Sequence, residues 1–245
     1  KFVHVRKFSM NQLYHQIFDS KKVIIFDIDG TLVDVMDAHT QAYVDVIREL
    51  TEVNVKSFAD ITKHYGIQNQ ETFRRVLDDY GFTHDPLLIE NLVRARGEKM
   101  ASPTAPILAK NILPGVVELI HALQKDGKII ATITGNSRKV GEAVITRSTL
   151  VKYFSVRVFG DDQKNGVALH GRHEMIALAL EKVEAASGKK FTKKDVLVVG
   201  DMIPDIQGAQ KAGMDSFVVA TGGIPLETLQ THNPAFGVRS FTELL

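Results

Sequence analysis

The order of hydrophobic and polar positions divides the chain into two kinds of segment. Short continuous apolar runs are typical of parallel strands buried on both faces of a sheet, and other segments repeat apolar residues at helical spacing. The runs lie at residues 23–26, 129–134, 156–159, 196–200 and 216–220, and the later helical segments near 116–125, 140–149, 174–185 and 206–212. Their alternation predicts an α/β fold with a parallel sheet and right-handed crossovers.

Residues 35–110 differ from the segments on either side. They contain no apolar strand run, and residues such as Val46, Ile47 and Leu50 recur at helical steps. We therefore predict roughly three or four helices here, whose apolar stripes form the core of an inserted domain.

Turns and domain boundaries follow from Gly and Pro. The helices of the insertion are separated by turn signals at residues 65–66, 80–82 and 84–86, and a Ser-Pro-Thr-Ala-Pro segment at 102–106 ends the unit. The predicted domains are a core formed by residues 1–34 and 111–245, with an N-terminal extension, and a helical insertion at 35–110.

Two acidic residues directly follow the first apolar run. Asp27 and Asp29 are separated by one residue, so their carboxylates would repel each other unless a cation or a shared proton intervenes. This spacing favours a hard divalent metal such as magnesium. An ordinary turn, in which Asp29 and Gly30 merely reverse the chain, is the alternative.

Two later runs also end in polar residues. The run at 129–134 ends at Thr134, whose hydroxyl could bind an anionic oxygen, although Thr is common in strands. The run at 196–200 is followed by Asp201 and then by Asp205, which could instead cap a helix. Because the carboxyl ends of parallel strands share one edge of a sheet, we expect Asp27 and Asp201 to lie close together.

These motifs resemble, in order and rough spacing, those of the haloacid dehalogenase-like hydrolase superfamily. The residues concerned are 27–31, 134–136, a basic residue near 172, 200–201 and Asp205, and the resemblance spans roughly residues 22–225. It implies a Rossmann-type core with an inserted helical cap of the C1 type. Within the superfamily the chain is similar to the C1-capped, phosphoglycolate phosphatase-like branch.

The resemblance implies roles for the residues. Asp27 would be the nucleophile and Asp29 the general acid and base, which contacts the metal only through its backbone carbonyl. To donate a proton, Asp29 must have a pKa above its ordinary value of about 3.9. Magnesium would be bound by Asp27, the Asp29 carbonyl, Asp201 and Asp205, and the phosphoryl group by Thr134, Gly135, Asn136 and Arg172.

The third motif departs from the family, which most often has a lysine there. Arg172 opens a predicted helix, where a cation opposes the helix dipole unless an anion lies beside it. We therefore favour Arg172, whose fork of donors could contact both Asp27 and a phosphoryl oxygen. Lys164 is the alternative, and it is more simply interpreted as a solvated loop residue.

The implied activity is magnesium-dependent hydrolysis of a small phosphomonoester through an aspartyl-phosphate. Phosphomutase activity stays open, because it differs only in what captures the aspartyl-phosphate. A phosphonatase would need a cap lysine, and neither Lys56 nor Lys63 is marked out by its surroundings. A non-catalytic regulator that binds metal or phosphate is a further alternative.

The substrate is not readable from the sequence. Polar residues of the insertion could contact a distal anion, but charges usually cover helix surfaces, so we expect each to be solvated. These residues are His39, Gln41, Arg48, Arg94, Arg96 and Lys99.

Composition and charge limit the classes of partner and the location that we expect for the protein. Lys and Arg total 30 against 29 Asp and Glu, so no strong field favours nucleic acid or a membrane surface. There is no cysteine and no apolar run of membrane-spanning length, which suits a cytoplasmic protein. Residues 1–19 lack the apolar stretch of a signal peptide, and Met10 is a candidate natural start. We expect a small phosphorylated substrate and a monomer or homodimer.

Overall fold

A parallel sheet carries helices on both faces and a helical insertion after its first strand. The computed structural model describes residues 10–65, 69–102 and 111–245. The strands are β1 Val23–Phe26, β2 Ile129–Thr134, β3 Val156–Phe159, β4 Gln163–Lys164, β5 Val167–Ala168, β6 Val196–Gly200, β7 Asp215–Val219 and β8 Phe236–Val238. The helices are α1 Gln12–Phe18, α2 Met36–Leu50, α3 Ala59–Thr62, α4 Asn69–Asp79, α5 Pro86–Ala101, α6 Val116–Lys125, α7 Arg138–Arg147, α8 Arg172–Ser187, α9 Ile203–Ala212 and α10 Leu226–Gln230.

The sheet has its first strand at the centre. Within the described ranges, six parallel strands pair in the order β3-β2-β1-β6-β7-β8, and β4 pairs with β5 as a separate antiparallel hairpin. The chain builds outward from β1 to β3 on one side and from β6 to β8 on the other. In open α/β sheets, ligands bind beyond the carboxyl ends of the strands where the order reverses in this way.

Successive residues of β1 pack into two separate cores. Ile24 and Phe26 belong to one cluster with apolar residues of α1, α6 and α7, whereas Val23 and Ile25 belong to another with those of α8 and α9. All four side chains are fully buried. Burial on both faces explains why this strand has a continuous apolar sequence.

The insertion has a hydrophobic core of its own. Buried residues of α2, α3, α4 and α5 form one cluster, with Tyr43 and Phe73 in contact at its centre. The chain leaves and re-enters the sheet domain at a single place. There the Asp34 backbone N–H donates to the carbonyl of Asn111 over 2.7 Å, and Val33 pairs with Ile112. The insertion is therefore anchored beside the carboxyl end of β1.

The predicted strands and the helical character of the insertion are confirmed. Helices α7, α8 and α9 begin two or three residues earlier than predicted; α9 accommodates Pro204 because the fixed φ of proline fits a first helical turn. The short elements α1, β4, β5, β8 and α10 were not predicted, because they are too short for a periodic pattern to register.

Some expectations are not addressed by the described part of the chain. Gly66 and residues 103–106, which were predicted to form loops, lie outside the described residues, as do residues 1–9 and Lys110. The domain boundaries at 34 and 110 therefore stay a prediction. Among the described helices, none combines the length and apolar character needed to cross a membrane.

Phe73→Ala should destabilise the insertion. Its ring is fully buried, with its centroid 4.7 Å from that of Tyr43, so truncation should lower the free energy of unfolding by about 3–5 kcal/mol. Phe58→Ala is the matched control, because Phe58 is 40% exposed and should cost less than about 1 kcal/mol. Urea unfolding of both variants measures the difference, and equal losses would contradict the proposed core.

Candidate active site

Three adjacent strands deliver polar residues to one edge of the sheet. β1 pairs with both β2 and β6, and the ladder continues past β1 because the Asp27 N–H donates to the Val199 carbonyl over 2.8 Å. Asp27 therefore stands beside the end of β6, which Asp201 follows. Thr134 ends β2 on the other side. The expected proximity of Asp27 and Asp201 is confirmed.

Asp27, Asp201 and Asp205 form a buried acidic cluster. One carboxylate oxygen from each lies within 4.8 Å of the others. The Thr31 hydroxyl donates to Asp201 Oδ1 over 2.5 Å, while Asp201 Oδ2 is buried and has no hydrogen-bond partner among the described residues. An all-oxygen donor set of this kind suits a hard divalent cation such as magnesium.

Glycine makes room for the Asp201 carboxylate. A Cβ on Gly222 would lie 1.6 Å from Asp201 Oδ2, and one on Gly30 would lie 2.6 Å from the same atom. Gly30 also has φ of +84°, which side-chain-bearing residues rarely adopt. Gly30 therefore does more than reverse the chain, since its missing side chain leaves space for an acid from another strand.

Asp205 caps a helix and also lies in the acidic cluster. Its Oδ2 accepts the Met202 N–H over 3.1 Å and so caps the start of α9. Its Oδ1 lies 2.8 Å from Arg172 Nε, within the acidic cluster.

Arg172 is the cation that holds the acids together. Its Nη2 lies 2.9 Å from Asp27 Oδ1, so one guanidinium bridges Asp27 and Asp205. Gly208 of α9 allows this approach, because a Cβ there would lie 2.8 Å from Arg172 Cβ. Arg172 Nη1 is buried and has no hydrogen-bond partner within the described part of the chain. Lys164, which lies on the exposed hairpin, instead pairs with Glu181 of α8.

Burial and mutual repulsion raise the pKa values of the acidic cluster. Burial raises the pKa of Asp27 well above its usual range, and although Arg172 lowers it, the other acids add to the rise. Burial and Asp205 raise the pKa of Asp201 to about 8. The pKa of Asp205 is raised mainly by burial, against the effect of Arg172. One guanidinium thus does not neutralise three carboxylates.

Asp29 is oriented away from this cluster. His39 lies with Nε2 3.0 Å from Asp29 Oδ1, while Thr134 Oγ1 and Asn136 Nδ2 donate to Asp29 Oδ2 over 2.8 and 2.9 Å. Burial raises the pKa of Asp29, but the contacts with His39, Thr134 and Asn136 outweigh it and lower the pKa overall. The expectation of a raised pKa is therefore wrong for this conformation.

The residues predicted to bind the phosphoryl group lie around Asp29 and along the cavity. The side chains of Thr134 and Asn136 donate to Asp29, and Gly135 lines the same cavity. The Asp29 carboxylate lies outside the acidic cluster found among the described residues.

His39 and Arg96 of the insertion are buried, contrary to expectation. They are 5% and 4% exposed, and Arg96 Nη2 donates to His39 Nδ1. His39 must then carry its proton on Nε2 and donate it to Asp29. Burial and the nearby Arg96 charge lower the pKa of His39, so the imidazole stays neutral, although Asp29 opposes that shift.

The other candidates of the insertion pair on its surface. Arg48 lies 3.2 Å from Asp45, and Arg94 lies 3.4 Å from Glu98. Gln41 donates to Asp45, and Lys99 pairs with Asp45 and Glu49.

Helical spacing separates the buried candidates from the exposed ones. Arg96 follows Ile89 and Leu92 and precedes Met100 on the same face of α5, and all four are buried. His39 likewise precedes Tyr43 and Val46 on the buried face of α2. In the sequence, a polar residue on the apolar stripe of a helix was therefore the signal that its side chain is buried.

A cavity of about 400 Å³ joins the two domains. Its lower wall contains Asp27, Asp29, Asp201 and Arg172, and its upper wall contains residues of the insertion. The upper-wall residues include His39, Tyr43, Tyr65, Asn69 and Arg96. Such a cavity can bind a small molecule between the acidic lower wall and the polar upper wall, which we call the roof.

Comparison with known proteins gives a consistent set of relatives. The family model described as haloacid dehalogenase-like hydrolase matches residues 24–219. Probable phosphatase IndB of Dickeya dadantii is 26% identical over 229 residues, covering 92% of each chain. Phosphoglycolate phosphatase of Vibrio parahaemolyticus is 27% identical over 238 residues, covering 91% of this chain and 94% of that protein.

The fold is also found among solved structures. A haloacid dehalogenase-like family hydrolase from Streptococcus pneumoniae superposes with a TM-score of 0.74 at 16% identity. The match covers 92% of this chain and 97% of that one. At this identity the likeness concerns the fold alone.

The stability of the metal-free protein should depend on Asp201. The folded state keeps this proton up to about pH 8, whereas the unfolded chain loses it near the ordinary pKa of 3.8. The folded state therefore binds more protons in between, and the free energy of unfolding should fall as pH rises through that window. Asp201→Asn lacks the titrating group. In EDTA, its stability relative to wild type should rise with pH by thermal unfolding; a constant difference would contradict the assignment.

Proposed function

The chain belongs to the haloacid dehalogenase-like hydrolases, and on that basis we propose that it is a magnesium-dependent phosphatase. Its substrate would be a small phosphomonoester, and its reaction would pass through an aspartyl-phosphate on Asp27. Curated relatives named as phosphatases cover most of the chain, which supports a phosphatase activity. The relative named phosphoglycolate phosphatase supports a small substrate.

One observation carries the proposal: the guanidinium of Arg172 holds Asp27 and still has a free donor. Nη2 contacts Asp27 Oδ1 at 2.9 Å, while the buried Nη1 has no hydrogen-bond partner in the described ranges. A phosphoryl oxygen at Nη1 would lie next to the Asp27 carboxylate. Nucleophile and phosphorus would thus be brought together by the two arms of one planar group.

The acidic cluster fits a resident magnesium ion. Asp27, Asp201 and Asp205 would hold it, with the Asp29 carbonyl as a further predicted ligand, and the unpartnered Asp201 Oδ2 is a buried oxygen for which a cation is the natural partner. When bound, magnesium supplies positive charge that offsets the repulsion between the carboxylate and a phosphate dianion.

The chain's own residues then complete two displacements. Asp27 forms a bond to phosphorus as the bond to the leaving oxygen breaks, and Asp29 gives its proton to that oxygen. Asp29 next takes a proton from water, which attacks phosphorus, releases inorganic phosphate and restores Asp27. The donors from His39, Thr134 and Asn136 favour the ionised form of Asp29, which suits the second step. For the first step Asp29 must carry a proton, taken from water in the preceding turnover or from solvent, and must turn from these donors to the leaving oxygen.

Residues 35–110 would act as the cap of this enzyme. The hydrogen-bonded crossing at Asp34 and Asn111 anchors the insertion beside the acids, and its inner face forms the roof of the cavity. A small phosphorylated substrate would be enclosed between cap and core, which excludes water from the reacting groups.

Asp27→Asn should abolish hydrolysis of p-nitrophenyl phosphate in the presence of magnesium. The amide is not a competent nucleophile, whereas Asp34→Asn alters an exposed carboxyl seven residues away and should retain activity. Wild-type turnover should also disappear in EDTA and return with magnesium. Release of p-nitrophenol measures each rate, with circular dichroism confirming folding, and an active Asp27→Asn protein would refute the nucleophile.

Asp29→Asn should lower kcat by about 10²–10⁴-fold, because it removes the proton donor and acceptor but leaves Asp27 in place.

Rapid acid quenching with a ³²P-labelled substrate should trap labelled wild-type protein, and hydroxylamine should release the label as expected for an acyl phosphate. Asp27→Asn is the matched control and should trap none. Wild-type protein that turns over without any trapped label would argue against the covalent intermediate.

A further inference from the structure

We propose that Arg96 binds an anionic group on the leaving-group side of the substrate. The preferred substrates would then be small phosphomonoesters that carry a second anion, either a carboxylate or another phosphate. This assignment rests on the proposed function, since the cavity it describes is the one above Asp27.

Two lysine or arginine side chains are buried among the described residues, Lys21 and Arg96, and of these two Arg96 has no acidic partner. Lys21 is 4% exposed and lies 2.5 Å from Asp215. Arg172 is held by two carboxylates. Arg96 is 4% exposed, and none of the ion pairs in the described part of the chain includes it. A buried charge without a counter-charge is costly, so the site calls for an anion from outside the chain.

The neighbours of Arg96 compensate its charge only in part. The guanidinium lies over the Tyr43 ring, 4.3 Å from its centroid, and Nη2 donates to the neutral imidazole of His39. Its Nε is buried and has no hydrogen-bond partner among the described residues. Arginine cannot shed its proton to relieve this situation. An unused donor and an uncompensated charge therefore coincide on one side chain.

Arg96 lies on the side of the site where the leaving group would be, so the anion that it binds would belong to the leaving group. His39 lies between Arg96 and Asp29, with one ring nitrogen bonded to each. Asp29 is the residue that would protonate the leaving oxygen, and Arg96 stands one imidazole farther from phosphorus. Both Arg96 and His39 line the cavity. The second anion thus falls a few bonds beyond the ester oxygen.

The rest of the roof is neutral. Tyr43 donates its hydroxyl proton to Asn69 Oδ1 over 2.6 Å, and burial raises its pKa. Burial likewise raises the pKa of Tyr65 to about 12, so both phenols keep their protons near neutral pH. Among the roof residues described, Arg96 is therefore the one that can distinguish an anionic from a neutral leaving group.

The size of the cavity limits the substrate. About 400 Å³ must hold both the phosphoryl group and the leaving group, and this volume lies near the lower end of the range of roughly 300–1,000 Å³ for ligand sites. A leaving group of a few carbon atoms fits these limits.

The first test compares leaving groups on the wild-type enzyme. 2-Phosphoglycolate and ethylene glycol bisphosphate carry a carboxylate and a phosphate as the second anion, and 2-phosphoglycolamide is the neutral isostere of the first. We expect kcat/KM to be about tenfold to a hundredfold higher for at least one of the anions than for the amide. The more active of the two identifies the kind of anion, and equal values for all three overturn the proposal.

The second test removes the charge. Arg96→Gln should lower kcat/KM for the preferred anionic substrate about tenfold to a hundredfold more than kcat/KM for the amide, mainly through KM. Arg96→Lys should recover part of the preference. Arg94→Gln, on the exposed face of the same helix, is the matched control and should change neither. Equal losses on both substrates would mean that Arg96 only supports His39, and would overturn the proposal.

The two proposals fail in different ways. An enzyme that hydrolyses p-nitrophenyl phosphate and the amide but shows no preference for an anion refutes the Arg96 assignment and leaves the phosphatase intact. Folded wild-type protein that hydrolyses no phosphomonoester refutes the phosphatase itself.

Discussion

Repulsion among three buried carboxylates is the constraint around which the sheet domain is organised. Asp27 follows β1 whereas Asp201 and Asp205 lie where β6 leads into α9, and parallel pairing of β1 with β6 forces Asp27 and Asp201 together. A single guanidinium, that of Arg172, bridges two of them. Glycines clear the space that this crowding requires. The site is thus an energetic cost to the fold that a cation and an anionic substrate would relieve, as is usual where function sets the placement of charge.

Much of this arrangement could be predicted, because it depends on rules that act locally. An apolar run that ends in an acid places that acid at a strand tip, and parallel pairing then brings Asp27 and Asp201 to one edge. The unfavourable position of a cation at a helix N-terminus distinguished Arg172 from Lys164, and the structure places Arg172 beside Asp27. The first inference needed only the residues, their elements and the direction of those elements, whereas the search for a basic residue near 172 came from the family resemblance.

The partners of Asp29 could not be predicted in the same way. His39 reaches Asp29 because the insertion folds back over the sheet, and Arg96 reaches His39 from a helix 57 positions later in the chain. Helical spacing marks both side chains as facing inward, but the groups that they contact depend on how the insertion packs against the sheet, and no local pattern specifies that packing. The shift in the pKa of Asp29 could not be predicted for the same reason. Its direction is set by His39, Thr134 and Asn136 and not by the sequence neighbours of Asp29.

The raised pKa values of the acidic cluster also have a consequence for how a cation is bound. Near neutral pH the cluster retains the proton of Asp201, whose pKa is raised to about 8, and the raised pKa values of Asp27 and Asp205 act in the same direction. A metal ion and these protons compete for the same oxygens, so binding the one expels the other. The heat of binding a metal ion here would therefore contain the ionisation heat of the buffer, and the apparent affinity would weaken in acid. Such a site would exchange its protons for the metal ion.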